Sequence, residues 1–306
     1  MNILILGGNG FIGSHLVDKL LANQHSVRVI DQYQERYRKI LPGVEYRFFD
    51  FGNRGLLEEA LKNIDIVFHL ICTTLPKTSN DDPAFDVQSN VIGSLFLFEK
   101  CVANTVKKIV FISSGGTIYG NPTQLPIAEE SPTNPECSYG ITKLTIEKYL
   151  ALFSHLYGID YVIARPSNAY GERQNPTGIQ GAIAVFLAKI ARGEPIEIWG
   201  NGEVVRDYIY VNDLVEGIYK AALLNTTSRI FNIGSGIGHS LNELLVLIRR
   251  KIDCDIEVVY KQKRTFDIPK IYLDITKAKN ELLWEPKISL DVGIQRTWGF
   301  IKSVYK

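Results

Sequence analysis

The first two thirds of the chain alternate short runs of β-branched and other apolar residues with longer stretches whose apolar positions recur three and four apart. The runs NILIL (2–6), SVRVI (26–30), IDIVFHL (64–70), KIVFIS (108–113) and YVIARP (161–166) predict strands. HLVDKLL (15–21), FLFEKCVA (96–103) and ITKLTIEKYLALF (141–153) predict the helices that cross between them. Such alternation marks βαβ units, so the expected class is α/β, with a doubly wound parallel sheet over residues 1–170.

Beyond residue 170 the alternation weakens, and the stretches GERQNPTGIQG (171–181) and WGNGE (199–203) are rich in turn residues. A smaller α/β region over 171–306 is expected there, with helices at 181–192, 212–224, 240–251 and 289–302 and strands at 229–234 and 256–260. There is no linker and no repeat. The second region should therefore pack tightly on the first, with some elements exchanged, and leave a ligand cleft between the two.

The length of 306 residues fits about two domains. Lys plus Arg is 34 and Asp plus Glu is 33, so the net charge of +1 gives no overall attraction to nucleic acid or to a membrane surface. Neither partner is expected. No segment approaches the roughly 18 consecutive apolar residues of a membrane span. The opening MNILILGGNGFIG lacks the basic start and cleavage site of an export signal. Cys72, Cys101, Cys137 and Cys254 are scattered and form no CxxC, as suits reduced thiols in the cytoplasm. The five histidines have no ligand spacing, so no metal site is expected.

Chemistry enters with Gly7-Gly8-Asn9-Gly10-Phe11-Ile12-Gly13, which follows a strand and opens a helix. In that setting the glycines allow a sharp turn, and a pyrophosphate approaches the N–H groups at the positive end of the helix. A nucleotide P-loop is excluded, because Ser14 stands where that motif needs Lys. Asp31, ending the second strand 18 residues past Gly13, is the predicted partner of the adenosine ribose hydroxyls. A carboxylate there repels a 2′-phosphate and favours NAD as cofactor. Asp50 and Phe51 are candidates for the adenine side, although a loop residue and a core aromatic would look the same. Leu70, closing the third of the strands above, is placed on the cofactor side. The first region is thus expected to be of Rossmann type.

Tyr139 and Lys143 lie four apart at the start of a helical pattern and share one face. A phenol of pKa about 10 is only about 0.1% ionised at pH 7, so a tyrosine base needs its pKa lowered by roughly three units. A neighbouring ammonium favours the phenolate.

Taken together, GGNGFIGSHL, KIVFISSGGTIYG, SYGITK, RPSNAYG and RDYIYVNDL resemble the extended short-chain dehydrogenase/reductase family, in its nucleotide-sugar epimerase and dehydratase branch and with UDP-hexose 4-epimerases most similar. The resemblance implies that Tyr139 is the base, that Lys143 binds the nicotinamide ribose and lowers the phenol's pKa, and that Asn90 lies on the cofactor side. It also implies a homodimer through the helices carrying Tyr139 and the 84–104 segment.

Two positions depart from the family pattern. The family carries Ser or Thr four residues before the Tyr-Gly of its fourth motif strand, and Gly115 stands there. Thr117, on the same side of an extended strand, is the favoured substitute, with Ser114 and water as alternatives. The segment Cys72-Thr73-Thr74-Leu75-Pro76 lacks the lysine usual in similar UDP-galactose 4-epimerases, which leaves the sugar open.

A nucleotide-diphosphate sugar needs cations, and Arg206 and Arg264 resemble the family's two diphosphate arginines. By the same resemblance Asn168 contacts the diphosphate or sugar. Trp199 is a candidate to stack on the base. The expected activity is an NAD-dependent nucleotide-sugar 4-epimerase. A dTDP-4-keto-6-deoxyhexose reductase is the nearest alternative, and a dehydratase or a dinucleotide sensor stands further off.

Overall fold

The computed structural model describes residues 1–177, 181–262 and 268–304. Its first part runs β1 (Asn2–Leu6), α1 (Phe11–Ala22), β2 (Ser26–Asp31), β3 (Val44–Phe48), α2 (Arg54–Ala60) and β4 (Ile66–His69). There follow α3 (Pro83–Asp86), a wide π-helical turn at Val87–Ile92, α4 (Gly93–Ala103), β5 (Lys108–Ile112), α5 (Ser138–Tyr157) and β6 (Asp160–Pro166). The second part comprises β7 (Asn168–Tyr170), α6 (Ala182–Ala191), β8 (Ile196–Trp199), β9 (Val205–Tyr210), α7 (Val211–Leu223) and β10 (Ile230–Ile233). It ends with β11 (Gly238–Ser240), α8 (Leu241–Ile252), β12 (Val258–Lys261), β13 (Lys270–Ile271), α9 (Thr276–Leu282) and α10 (Leu290–Val304).

A seven-stranded parallel sheet in the order β10-β6-β5-β4-β1-β2-β3 carries the molecule. Its central strands β1, β4 and β5 are apolar at successive positions because both faces are covered. Ile3 and Ile5 of β1 point into one core with Leu16 and Leu20 of α1 and Leu214 and Ile218 of α7. Leu4 and Leu6 point into the opposite core with Leu57, Leu97, Phe98 and Leu150. The strand order turns back between β1 and β4, so the carboxyl ends of those strands open the crevice in which such sheets bind ligands.

Two elements from beyond residue 170 join this sheet. Strand β10 pairs with the edge of β6, Ile230 opposite Ile163, and α7 packs in the same core as α1. The apolar runs of both elements fit a surface that the first 170 residues leave uncovered. The remaining elements build a smaller body around Ile183, Leu187, Ile196, Leu244, Ile248 and Ile294. Within it β9 pairs with β7, β11 and β13, while β8 and β12 form a separate two-stranded ribbon. Among the described residues no helix is long and apolar enough to cross a membrane.

Candidate active site

The glycine turn joins β1 to α1. Gly7 takes a φ of +85°, a left-handed conformation that favours glycine, and its N–H donates to Ile30 O at 2.8 Å. A Cβ on Gly13 would stand 2.1 Å from Gly7 O, so the helix can approach the turn this closely only without one. Gly10 is exposed, caps α1 without a side chain, and leaves the first N–H groups of the helix open to an anion. Phe11 and Ile12 begin that helix. Asp31, at the end of β2, is tied to the turn: its Oδ2 accepts from Asn9 N at 3.0 Å and its Oδ1 from Tyr33 N at 3.4 Å. Burial raises the pKa of this carboxyl, against those hydrogen bonds. The cradle and the acid stand side by side as a dinucleotide requires.

Other cofactor-side residues differ in setting. Leu70 extends past β4, with its N–H on Leu6 O at 3.0 Å, at the carboxyl edge of the sheet. Asp50 is exposed, accepts from Gly52 N at 2.8 Å, and meets Gln32 Nε2 at 3.3 Å. Phe51 is a core aromatic, its ring 5.4 Å from that of His69 and pressed against Gly93. Asn90 lies buried in the π-helical turn, where its Oδ1 accepts from Thr73 N at 3.0 Å.

Tyr139 and Lys143 occupy the first turns of α5. Lys143 is 4% exposed, donates to Ile112 O at 2.8 Å, and lies 5.7 Å from the Tyr139 ring centroid. Burial raises the phenol's pKa. Cys72, Cys137 and Asp86 push in the same direction, and a hydrogen bond with Ser114 opposes them. Burial also lowers the Lys143 pKa. Burial thus moves the phenol's pKa in the direction opposite to the one the resemblance implies.

The geometry around Gly115 explains the departure noted in the sequence. A Cβ there would stand 2.6 Å from Leu273 Cδ1 and 3.0 Å from the carbonyl oxygens of Arg165 and Pro166. The position faces packed chain and has no room for a hydroxyl-bearing side chain. Ser114 is the neighbouring hydroxyl that acts to lower the Tyr139 pKa. Thr117 Oγ1 is buried and has no hydrogen-bond partner among the described residues, while Thr117 O would lie 3.0 Å from a Cβ on Gly140. The residue thus packs against the turn that carries Tyr139.

Of the residues expected on the substrate side, Asn168 and Arg206 lie on the neighbouring strands β7 and β9, with Asn168 opposite Tyr208, and Asn168 Nδ2 donates to Asp207 O at 3.2 Å. Arg206 Nη1 donates to Val205 O and Ile268 O, both at 2.8 Å. Trp199 ends β8 in the separate ribbon, 40% exposed. Arg264 lies outside the described residues.

A buried ionic network under α5 has no motif of its own in the sequence reading. Glu147, one turn beyond Lys143, forms a two-pronged pair with Arg165 of β6, at 3.1 Å and 2.6 Å, and accepts from Ser113 Oγ. Arg165 Nη1 donates to the Tyr119 hydroxyl at 2.9 Å, and that hydroxyl donates to Asn232 Oδ1 at 2.7 Å. The apolar surroundings hide such a pair, since Glu147 reads as an ordinary helix-surface charge. An i,i+4 count from Lys143 gives only a local pairing.

A glycine cradle at a sheet switch point, with half-buried Tyr139 and buried Lys143 on one helix, defines a dinucleotide-dependent α/β enzyme fold. The family model described as NAD dependent epimerase/dehydratase matches residues 3–234, and the chain belongs to that family. It is similar to the solved UDP-glucose 4-epimerase of Thermotoga maritima with UDP-glucose, with a TM-score of 0.95 and 39% identity covering 100% of both chains. A UDP-glucose 4-epimerase of Mycolicibacterium smegmatis is 34% identical over 310 residues, 99% of each chain. A dTDP-4-dehydro-6-deoxyglucose reductase of Escherichia coli is also 34% identical, over 313 residues, 99% of this chain and 97% of that one.

Proposed function

We propose that the protein is an NAD-dependent nucleotide-sugar 4-epimerase acting on a UDP-hexose or UDP-N-acetylhexosamine. The observation that carries the reading is the conjunction of the glycine cradle, Asp31 and the Tyr139/Lys143 pair on a chain similar to UDP-glucose 4-epimerases over its whole length. Gly7, Gly10 and Gly13 with the start of α1 hold the pyrophosphate, and Asp31 holds the adenosine ribose. Asn90 and Lys143 serve the nicotinamide end.

NAD held by these residues would supply a reversible acceptor for the C4 hydride, so that the hydride could be returned to either face of the sugar. Tyr139 removes the proton from the C4 hydroxyl and gives it back when the ketone is reduced. Ser114 hydrogen-bonds the phenol and the reacting oxygen, and Thr117 supplies a second buried hydroxyl beside it. Asn168, Arg206 and Arg264 hold the diphosphate while the 4-keto sugar turns, and Trp199 stacks on the base. Residues 1–170 serve the dinucleotide, and 171–306 serve the sugar nucleotide, with α7 and β10 returned to the sheet.

The same residues suit a 4-keto-6-deoxyhexose reductase, which the similarity to the Escherichia coli reductase keeps in view. Such an enzyme consumes one reduced cofactor per turnover. A homodimer is part of the proposal: Ile141, Tyr149, Leu152 and Leu156 are exposed on one stripe of α5, and Phe85 and Val87 are exposed on the neighbouring helical segment. Four free thiols fit a cytoplasmic setting. The test is incubation with UDP-glucose or UDP-N-acetylglucosamine without added NADH, and separately with dTDP-4-keto-6-deoxyglucose and NADH. Formation of the corresponding galacto sugar in the first supports the proposal, and turnover in the second alone, with stoichiometric loss of NADH, contradicts it.

A further inference from the structure

The helix that carries Tyr139 is not capped by its own sequence. Helix starts leave N–H groups without intrahelical partners, and Cys137 at the cap position supplies no side-chain acceptor. The acceptors come from a segment some sixty residues earlier. Ser138 N donates to Asn80 Oδ1 at 2.9 Å, and Tyr139 N donates to Ser79 Oγ at 3.0 Å. Ser79 is fully buried, and its hydroxyl reaches Pro76 O at 3.4 Å.

A second attachment lies beside it. Asp86 is fully buried at the end of α3, where the chain widens into the π-helical turn. Its Oδ1 accepts from Thr74 Oγ1 at 2.6 Å and from Asn90 Nδ2 at 2.8 Å. Its Oδ2 accepts from Ser138 Oγ at 2.7 Å and stands 3.3 Å from the Thr142 hydroxyl, which also reaches Tyr139 O at 2.9 Å. Tyr139 is thus bracketed by contacts at its own N–H, its own carbonyl and the side chains before and after it. No ion pair involves Asp86 among the described residues.

We propose that Ser79, Asn80 and Asp86 are positioning residues that clamp the first turn of α5 to the loop after β4 and so fix the Tyr139 phenol against the substrate. The inference rests on the reading of Tyr139 as the base. First turns of helices fray, and a reacting group displaced by about 1 Å loses on the order of a hundredfold in rate. A clamp from another segment removes that freedom, and it does so through the same Asp86 and Thr73–Thr74 contacts that hold Asn90. Cofactor side and base are thereby held as one unit.

Asp86 also brings a negative charge to the site. Tyr139 faces Lys143, Cys72, Cys137, Asp86 and the Ser114 hydroxyl, and Lys143 in turn faces Cys72, Glu147, Asp86 and the neutral His69. Removing the Asp86 charge stabilises the phenolate and makes the base available at lower pH.

The test uses NAD-saturated protein. Asp86→Asn keeps the volume, and the Ser138 and Thr142 hydroxyls can turn to accept from the new amide. The expected result is a kcat lower by about tenfold or more at the plateau with KM changed by less than about twofold. The acidic limb of the kcat profile moves toward lower pH. Ser79→Ala combined with Asn80→Ala should lower kcat without moving the limb, since the charge remains. An ultraviolet difference titration of the phenolate, parent minus Tyr139→Phe, should shift with Asp86→Asn in the same direction. A shifted titration in a protein that does not epimerise supports the clamp and removes the proposed function. An unmoved limb and titration with an unchanged kcat overturn the clamp and leave the function standing.

Discussion

The Lys143 ammonium stands 5.7 Å from the centroid of the Tyr139 ring, yet the phenol holds its proton more tightly than a tyrosine in water. Lys143 spends one of its hydrogen bonds on Ile112 O and sits over the Phe111 ring at 4.8 Å, so its charge is shared. Burial then dominates the phenol. On the proposed reading of Tyr139 as the base, an oxidised nicotinamide would supply the further positive charge. In NAD-saturated protein the kcat profile should show an acidic limb that Tyr139→Phe abolishes together with about a hundredfold or more of the rate. Retained activity in that variant contradicts the assignment.

Ser114 and Thr117 make separable claims. Ser114→Ala should lower kcat by about tenfold or more with NAD content unchanged, because a hydrogen bond on the phenol is lost. Thr117→Ala should cost less, since its Oγ1 has no partner among the described residues. Steady-state rates on the two variants decide the order.

Gly115→Ser tests the packing explanation directly. A Cβ 2.6 Å from Leu273 and 3.0 Å from two carbonyls forces the chain apart, and overpacking of this kind costs about 1–3 kcal/mol. Thermal unfolding should show a lower Tm with no gain in rate. A more active and equally stable variant would show that the position does face the site.

The Glu147–Arg165 pair is 3% exposed on both sides. Removing one partner leaves a buried charge alone, so Glu147→Ala should cost about 3–5 kcal/mol in urea unfolding. The double variant Glu147→Leu, Arg165→Met should recover part of that loss.

Stability should fall with acid before the carboxylates titrate. Burial lowers the His69 pKa to about 3, and burial together with Arg173 lowers that of His15 to about 4, both from 6.5. Below pH 6.5 the unfolded chain binds protons that the fold refuses, so the contribution is complete above 6.5 and is lost as pH falls. Each histidine then costs about 1.4 kcal/mol per pH unit. Denaturant titrations between about pH 5 and 6.5 should show this slope, reduced in His15→Gln. A flat profile contradicts it.

The strands and the glycine turn were legible because their signals are local: alternating periods, a turn that only glycine can make, and an acid at the end of the next strand. The Tyr139/Lys143 pair was legible as a four-residue spacing. What was not legible depends on segments meeting across the fold. Gly115 reads as a missing hydroxyl until Leu273 and Arg165 are seen against it. Strand β10 reads as part of the second region until β6 presents a free edge. Asp86 and Ser79 read as loop polarity, since nothing near them in sequence shows that they hold the start of α5.

The central claim is that the C4 hydrogen leaves the sugar and returns to it within one protein molecule. The most direct measurement is turnover of UDP-glucose deuterated at C4, in the presence of unlabelled NADH, with the product analysed by mass spectrometry and NMR. The account predicts UDP-galactose with the deuterium retained at C4 and no net change in NADH. Loss of the label, or consumption of NADH in step with product, would contradict it.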